Sequence, residues 1–574
     1  MSSGKKILSQ FIISIFGVFM LAGFVIVKQE NSISGIVVDQ SGPVPGAVVR
    51  IQTTETSTIT DEDGRFVLTD LPAAKTLFIT AWASGYYIVG VEASPGDEIE
   101  IHIEPHTDVD NPDYEWLPST FHPGQGENQG CAECHANDSP LPVLEEGAGS
   151  LPVDEWLQDA HSQAATNPRF LSMYLGQDLD GNQSPQTRYG TSRDYGTFPL
   201  RPDPSKPYYG PGYKLDFPET AGNCAACHTP AASVNNPYGI DPTAVDGVPA
   251  EGVPCDFCHK IWDVKLDEGG IPFPNMPGVL SFEFRRPPDG HQFFAGPYDD
   301  VAPGEDTYSA LQTESQICAP CHFGVFWDTL VYDSFGEWLE SEYSSPDTGQ
   351  TCQDCHMPPL GVTHFAKPDK GGLARDPETI FSHNMTVTEE LLQNAVSMDV
   401  EAEIQGDRVI VEVTVTNDKT GHHVPTDSPL RQMILLVEVT DSEGNLLSQV
   451  EGSTVPDWGG VQPAEISQIS AGSAGYYAGH PGTAYAKILQ EMWTEVTPTG
   501  AYWNPTRILS DNRIPAMESD TTSYIFRTSK DSETFDISVK LIYRRAFIEL
   551  IDQKGWDVPD ILMEQETIKM SLDV

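Results

Sequence analysis

The sequence is poor in basic residues and has no cysteine outside one repeated motif. Lys and Arg number 32 in 574 residues against 84 Asp and Glu, so the formal net charge is −52. Such a surface repels phosphate, which excludes nucleic acid as a partner and indicates a solvated acidic exterior. Hydrophobic residues make up only 39%, beside 49 Gly and 46 Pro. The chain is therefore loop-rich, and something besides aliphatic side chains is expected to fill part of its core.

The N-terminal segment predicts export from the cytoplasm. Lys5 and Lys6 precede a largely apolar run over residues 7–27, and no cysteine lies nearby to carry a lipid. Basic residues before such a run favour an N-terminus left in the cytoplasm and translocation of the rest. Residues 1–30 are either a cleaved signal peptide or a retained membrane anchor. The protein is expected at the cell surface, in the periplasm or secreted, with membrane contact only through this segment.

All ten cysteines fall in five Cys-x-x-Cys-His motifs, which is the attachment signature of c-type haem. Two thiols of one motif add to the vinyl groups of one porphyrin, and the adjacent histidine becomes the proximal iron ligand. A disulfide framework or a zinc site gives no reason for a histidine after every second cysteine. The pattern predicts five covalent haems and no disulfide. The motif residues are Cys131, Cys134 and His135; Cys224, Cys227 and His228; Cys255, Cys258 and His259; Cys318, Cys321 and His322; Cys352, Cys355 and His356.

Composition and periodicity divide the chain into several domains. Short β-branched runs between turns predict a β-sandwich over 31–105, followed by a Pro- and Gly-rich linker over 106–130. Residues 131–396 hold the motifs and are expected to form a loop-rich, partly helical pentahaem domain. Period-two patterns, as at 409–415, predict a β-rich, sandwich-like domain over 397–574. The short gaps between the second and third motifs, and between the fourth and fifth, predict two closely packed haem pairs.

The first of these domains resembles a known family. Residues 35–39 (GIVVD), 44–47 (VPGA), 60–66 (TDEDGRF) and 71–72 (LP) resemble a carboxypeptidase regulatory-like domain. The resemblance implies a non-catalytic spacer or adhesion unit. The acidic residues 61–63 are then interpreted as a hairpin turn rather than a calcium site.

Ten histidines lie outside the motifs, and five of them are candidates for the distal iron ligands. His291 lies in a proline- and glycine-bounded loop between the third and fourth motifs, whereas His364 and His383 follow the fifth. His161 ends the segment 156–161 (WLQDAH), which resembles a distal-ligand helix of multihaem cytochromes; a helix is predicted over 153–165. We interpret His102, His106, His122 and His480 as structural, and His423 as the neighbour of the candidate ligand His422.

His422 is the candidate that lies farthest from the motifs. Residues 417–426 (NDKTGHHVPT) resemble the Gly-His-x-x-Pro-Thr element of the β domain that follows the haem region in many multihaem cytochromes. That resemblance implies that His422 reaches back to an iron. One further site has two interpretations, because Asp178, Asp180 and Asn182 have the alternating oxygen ligands of a calcium loop but no downstream bidentate Glu. An acidic turn is the preferred interpretation.

Taken whole, the chain resembles the multihaem cytochromes of extracellular respiration, including the extracellular cytochrome nanowire group. This resemblance implies an electron carrier with mainly bis-histidine haems, acting with redox proteins or an extracellular acceptor. A homo-oligomeric filament would need an axial histidine donated to a neighbouring subunit. The alternative is an oxidoreductase for nitrite, hydroxylamine or a sulfur oxyanion, which requires one open iron. There are enough histidines to supply a second ligand to all five irons, which favours the electron carrier. The oxidoreductase remains the alternative.

Overall fold

The structure is a computed structural model that describes residues 31–120, 130–137, 150–193, 196–200, 202–462, 475–528 and 532–572. The predicted export segment (1–30), part of the predicted linker (121–129) and His122 lie outside the described residues. Within the ranges that are described, no helix is long and apolar enough to cross a membrane.

The N-terminal domain consists of short strands whose side chains alternate between a buried and a more exposed face, as in Ile33–Asp39. The strands are β1 (Ile33–Asp39), β2 (Gly42–Pro43), β3 (Val48–Ile51), β4 (Ser57–Ile59), β5 (Arg65–Leu68), β6 (Leu77–Trp82), β7 (Val89–Ala93) and β8 (Glu98–His102). One sheet pairs β1 with β2, β5 and, in parallel, β8; the other has the order β4-β3-β6-β7. Both sheets contribute to one apolar core. The Asp61 carboxylate accepts hydrogen bonds from the backbone of Asp63 and Arg65, which makes the acidic segment a turn.

The motif region contains short helices, two-stranded ribbons and much irregular chain. Each motif lies on a one-turn helix, where cysteines three residues apart share one face. The helices are α1 (Ala132–His135), α2 (Pro152–Trp156), α3 (Pro168–Leu175), α4 (Tyr213–Asp216), α5 (Ala225–His228), α6 (Pro230–Ser233), α7 (Cys255–Cys258), α8 (Ala319–His322), α9 (Ser334–Leu339), α10 (Cys352–His356) and α11 (Glu389–Gln393). The ribbons pair β9 (Arg188–Ser192) with β10 (Gly196–Leu200), β11 (Ile261–Val264) with β12 (Phe282–Phe284), β13 (Phe294–Gly296) with β14 (Asp306–Tyr308), and β15 (Gly324–Phe326) with β16 (Thr329–Tyr332).

The helix predicted over 153–165 is shorter in the structure, where α2 ends at Trp156. Asp159 accounts for the early end, because its carboxylate accepts a hydrogen bond from the backbone N–H of His161 at 2.8 Å. Such a local side-chain acceptor competes with the helical hydrogen bond of the same N–H. His161 therefore lies in a turn and not on a helix.

The C-terminal domain is a second β-sandwich with a separate ribbon and one helix. Its elements are β17 (Ser397–Gln405), β18 (Arg408–Thr416), β19 (Gln432–Asp441), β20 (Gln449–Glu451), β21 (Gly482–Tyr485), β22 (Lys487–Glu491), β23 (Thr506–Asp511), β24 (Ser519–Arg527), β25 (Thr534–Arg544), α12 (Ile548–Lys554) and β26 (Ile561–Ser571). The two sheets have the orders β17-β18-β24-β20 and β21-β19-β25-β26. The alternating valines of β18 are fully buried in the core between these sheets, as the period-two pattern predicts.

The N-terminal sandwich is bound to the motif region by paired charges. Arg50 makes two hydrogen bonds to Asp299, at 2.8 and 3.0 Å. Asp300 accepts a hydrogen bond from the backbone N–H of Thr53 at 2.7 Å and from Arg375 at 2.7 Å. The family resemblance implied a spacer or an adhesion unit. The structure places the domain against the motif region, and its role stays a prediction.

The C-terminal sandwich also packs on the motif region. The buried carboxylate of Asp216 accepts hydrogen bonds from the side chains of Trp503 and Asn504, both at 2.7 Å. The side chain of Lys554 is fully buried and donates to the backbone carbonyls of Ser172 and Pro211, at 3.0 and 2.6 Å. Buried polar groups paired in this way fix the position of the C-terminal domain relative to the motifs.

Candidate functional site

The ten cysteines are free thiols that bring the motifs into contact with one another. Three pairs of thiols from different motifs are hydrogen-bonding neighbours: Cys131 with Cys255, Cys227 with Cys321, and Cys318 with Cys352. The contact between the fourth and fifth motifs agrees with the short gap between them. The second motif shares an apolar cluster with the third, through Ala226 and Phe257, and Cys321 of the fourth motif packs against the same cluster. The fourth motif is therefore the junction between the second and the fifth.

Three motif histidines donate their Nδ1–H to backbone carbonyls. His135 donates to Phe365 at 2.8 Å, His228 to Ala164 at 3.0 Å and His259 to Ala295 at 2.7 Å. This arrangement fixes the tautomer and leaves Nε2 free to bind a metal.

Burial keeps several imidazoles in the form that binds metal. It lowers the pKa of His228 to about 4. Burial, followed by the neighbouring charge of His422, lowers the pKa of His356 to about 4. Both rings are therefore neutral at physiological pH, as a metal ligand must be.

Two distal candidates face motif histidines across a gap that fits one metal ion. The ring centres of His161 and His322 lie 6.3 Å apart, with an angle of 71° between the ring planes. Those of His356 and His422 lie 6.4 Å apart, with an angle of 21°. With metal–nitrogen bonds of about 2.0 Å, two imidazoles on opposite sides of one metal have ring centres roughly 6 Å apart. The two pairs of imidazoles thus have the spacing of two ligands of one metal.

His383 lies near the first and third motifs. Its Nδ1–H donates to the carbonyl of Phe381 at 3.2 Å. Burial lowers its pKa to about 4, and the neighbouring charges of His259 and then His135 contribute in the same direction. The ring is therefore neutral and close to two motif histidines.

The structure does not bring His291 or His364 together with a motif histidine among the residues that it describes. The side chain of His291 is 60% exposed, and its Nδ1 lies 2.7 Å from Glu305. The Nδ1 of His364 lies 2.9 Å from the hydroxyl of Thr363. The role of both histidines as distal ligands stays a prediction.

The second motif has a different surrounding. The ring of Phe170 stacks on His228 with ring centres 3.7 Å apart and an angle of 4° between the planes. Tyr174 and Tyr213 stack on each other nearby, at 5.4 Å. In the described part of the chain, no second histidine ring faces His228.

Two carboxylates next to the candidate ligands were missed by reasoning from the sequence. The Asp159 carboxylate lies 2.6 Å from Nδ1 of His161, and the Asp427 carboxylate lies 3.7 Å from Nδ1 of His322. Burial lowers the pKa of His322, but Asp427 outweighs it and the pKa is raised. The spacing of Asp159 and His161 is visible in the sequence. No local pattern connects Asp427 with His322, because they lie in different domains.

The segment with the calcium-like spacing forms a turn. The Asp178 carboxylate accepts hydrogen bonds from the backbone N–H and the side-chain amide of Asn182, both at 2.7 Å. Asn182 thus directs its amide N–H, and not its carbonyl oxygen, at Asp178, while Asp180 is exposed. Across the described ranges, no group of three or more His, Cys, Asp or Glu is placed to hold a metal ion. The acidic-turn interpretation describes this segment.

Comparison with known proteins gives one family match and several similar solved structures. A carboxypeptidase regulatory-like domain matches residues 32–104. No curated protein sequence matches the chain. A penta-heme cytochrome c552 from Thermochromatium tepidum is 16% identical over 77% of this chain and 97% of that chain, with a TM-score of 0.48.

The other two structures cover smaller parts of the chain. A type II cohesin–X-dockerin complex from Acetivibrio cellulolyticus is 20% identical over 13% of this chain and 58% of that chain, with a TM-score of 0.12. A PapD-like domain of human CEP192 is 6% identical over 32% of this chain and 89% of that chain, with a TM-score of 0.13. None of the three scores establishes a common fold. Residues 32–104 are a carboxypeptidase regulatory-like domain at the N-terminal end of a β-rich, multidomain chain.

Proposed function

We propose that the protein is a multihaem c-type cytochrome that carries electrons outside the cytoplasm. The proposal rests on one observation: at each of two motifs the motif histidine faces a second imidazole, His161 opposite His322 and His422 opposite His356. Histidines from distant parts of the chain have no structural need to meet a motif histidine at the spacing of two ligands of one metal. Haem bound at such sites would supply one-electron exchange at iron.

The protein's own residues hold and orient these ligands. Cys318 and Cys321 would attach one haem and Cys352 and Cys355 another, while the hydrogen bonds at Nδ1 of His161 and of His422 would leave Nε2 of each ring for the metal. We assign His383 to the first or the third motif, because its ring is buried beside both. An iron with two histidine ligands has no position for substrate, which favours a carrier over a catalyst. Its partners would be redox proteins or an extracellular acceptor.

The number of haems tests the proposal directly. The intact mass of the purified protein should exceed the polypeptide mass by five haems, because all ten cysteines lie in complete motifs. The oxidised protein should give a mainly low-spin electron paramagnetic resonance spectrum. A mass with fewer haems, or a spectrum dominated by high-spin iron, would contradict the proposal.

A second candidate is an oxidoreductase for nitrite, hydroxylamine or a sulfur oxyanion at the second motif. The observation that favours it is that His228 faces no other histidine in the described part of the chain, while Phe170 and Tyr174 line its surroundings. Cyanide or nitrite should then convert one high-spin signal to low-spin. A spectrum that neither anion changes would contradict the oxidoreductase and leave the electron carrier as the only proposed function.

A further inference from the structure

The two facing pairs of histidines differ in what their outer nitrogens contact. At the pair formed by His356 and His422, the outer partners are backbone carbonyls, of Met385 and of His423. At the pair formed by His161 and His322, both outer partners are carboxylates. A carbonyl carries no net charge, whereas a carboxylate draws the Nδ1 proton towards itself and makes the imidazole a stronger donor.

Asp159 is built into the interior for this contact. Its side chain has no exposed surface, and one carboxylate oxygen accepts from both Nδ1 of His161 at 2.6 Å and the backbone N–H of the same residue at 2.8 Å. The other oxygen accepts from the hydroxyl of Thr386 at 3.0 Å. No arginine or lysine is paired with Asp159 among the described residues. The charge therefore acts mainly on His161.

On the opposite side Asp427 lies beyond hydrogen-bonding distance of His322 and acts on it through its charge. Its carboxylate lies 3.7 Å from Nδ1 of His322, and Arg431 lies 3.9 Å from the same oxygen. Because Arg431 offsets part of the charge, the contribution of Asp427 is the smaller of the two. The backbone at Asp427 is left-handed, with φ of 65°, a conformation that asparagine adopts as readily as aspartate.

We propose that Asp159 and Asp427 give the haem held by His161 and His322 a lower reduction potential than the haem held by His356 and His422, an inference that rests on the function proposed above. Negative charge beside both imidazoles would favour the ferric over the ferrous state of an iron held there, because the ferric iron carries one more positive charge. Both aspartates are positioning residues that act on the metal through another side chain.

The fourth motif lies between the second and the fifth, so the potential of its haem affects electron transfer between them. The fourth motif contacts the second through Cys321 and the fifth through Cys318. A haem of low potential at this junction makes electron movement between the second and fifth motifs an uphill step. The two carboxylates would thereby control the rate at which charge crosses the protein.

The test is a spectroelectrochemical titration of the full-length protein carrying Asp159→Asn, Asp427→Asn or both changes. One component should move to higher potential, with a change in its reduced-to-oxidised ratio of about tenfold for Asp159→Asn, which is about 59 mV for one electron. The shift for Asp427→Asn should be smaller and in the same direction. His161→Met, which exchanges the ligand itself, should raise the same component, and this identifies the haem.

The matched control is Glu305→Gln, which removes the same charge from the exposed contact with His291 and should leave that component unchanged. Unchanged potentials in both aspartate variants, with five haems and the low-spin spectrum retained, would overturn the inference and leave the proposed function standing. An equal shift in Glu305→Gln would overturn it as well. A parent protein without haem, or His161→Met without effect on any component, would overturn the proposed function. If Asp159→Asn loses haem, the potential measured in Asp427→Asn tests the inference by itself.

Discussion

Glu337, on the short helix between the fourth and fifth motifs, forms an ion pair with Arg513 of the C-terminal sandwich at 2.5 Å, and both side chains are almost fully buried. The same carboxylate accepts hydrogen bonds from the backbone N–H of His423 at 3.1 Å and from the hydroxyl of Thr426 at 2.5 Å. The buried carboxylate of Glu337 thus holds the loop that contains His422 against the motif region. A buried carboxylate in this position acts on the geometry of the adjacent ligand through the backbone.

Glu337→Gln should weaken both the domain contact and the ligand. The change removes one of the two carboxylates that pair with the buried Arg513, and Asp511 at 2.8 Å remains as its partner, so we expect a loss of about 2 kcal/mol in the free energy of unfolding. Chemical unfolding of the holoprotein measures this loss, and carbon monoxide binding to the reduced protein reports any iron that His422 has left. Glu340→Gln is the matched control, since Glu340 follows the same helix and is exposed. Equal effects of the two changes would contradict the role of Glu337.

His422→Ala and His423→Ala should differ although the residues are neighbours. The ring of His422 faces His356, whereas His423 contacts Glu337 through its backbone N–H, which alanine retains. His422→Ala should therefore create one iron that binds carbon monoxide, and His423→Ala should create none. Optical spectra of the reduced proteins with carbon monoxide measure the difference. If His422→Ala binds no carbon monoxide, the ligand opposite His356 is another residue.

The sequence predicts those structural features that depend on neighbouring residues, such as strand periodicity and turns. The alternating valines of β18 and the turn at Asp61 follow from side-chain period and turn residues, and the structure has both. The length of the helix before His161 is missed, because the competing acceptor, Asp159, acts within a turn that propensity does not reveal. The contacts of Asp427 and Glu337 join segments that are distant in the chain. Only the packing of whole domains brings them together, and no spacing rule records it.

Arg50→Ala should loosen the N-terminal sandwich from the motif region. Arg50 donates twice to Asp299 in a partly buried, two-point contact, which is stronger than an isolated surface ion pair. We expect a loss of about 1 kcal/mol in the docking free energy, seen as faster proteolysis of the segment after residue 105. Arg65→Ala is the control, because Arg65 and its partner Glu98 are exposed and 4.0 Å apart. The same cleavage rate in both variants would show that the Arg50 contact does not hold the domain.

Asp306 predicts a dependence of stability on pH that a single substitution removes. Burial raises its pKa to about 7, although Lys260 opposes the rise. Lys260 is itself fully buried and donates to Asp256. Because Asp256 neutralises most of its charge, Lys260 stabilises the ionised form of Asp306 only weakly. Below about pH 7 the carboxyl group of Asp306 therefore keeps its proton in the folded chain.

The sign of the effect follows from proton binding. Between about pH 4 and pH 7 the folded chain keeps a proton at Asp306 that the unfolded chain has released, so the free energy of unfolding falls as the pH rises through this window. Asp306→Asn resembles the protonated form. The variant should match the parent at pH 4 and exceed it by about 2 kcal/mol at pH 8. Denaturant unfolding at several pH values measures this, with Asp63→Asn in the exposed turn as control. A variant whose stability difference from the parent is the same at pH 4 and pH 8 would show that Asp306 is already ionised in the folded protein.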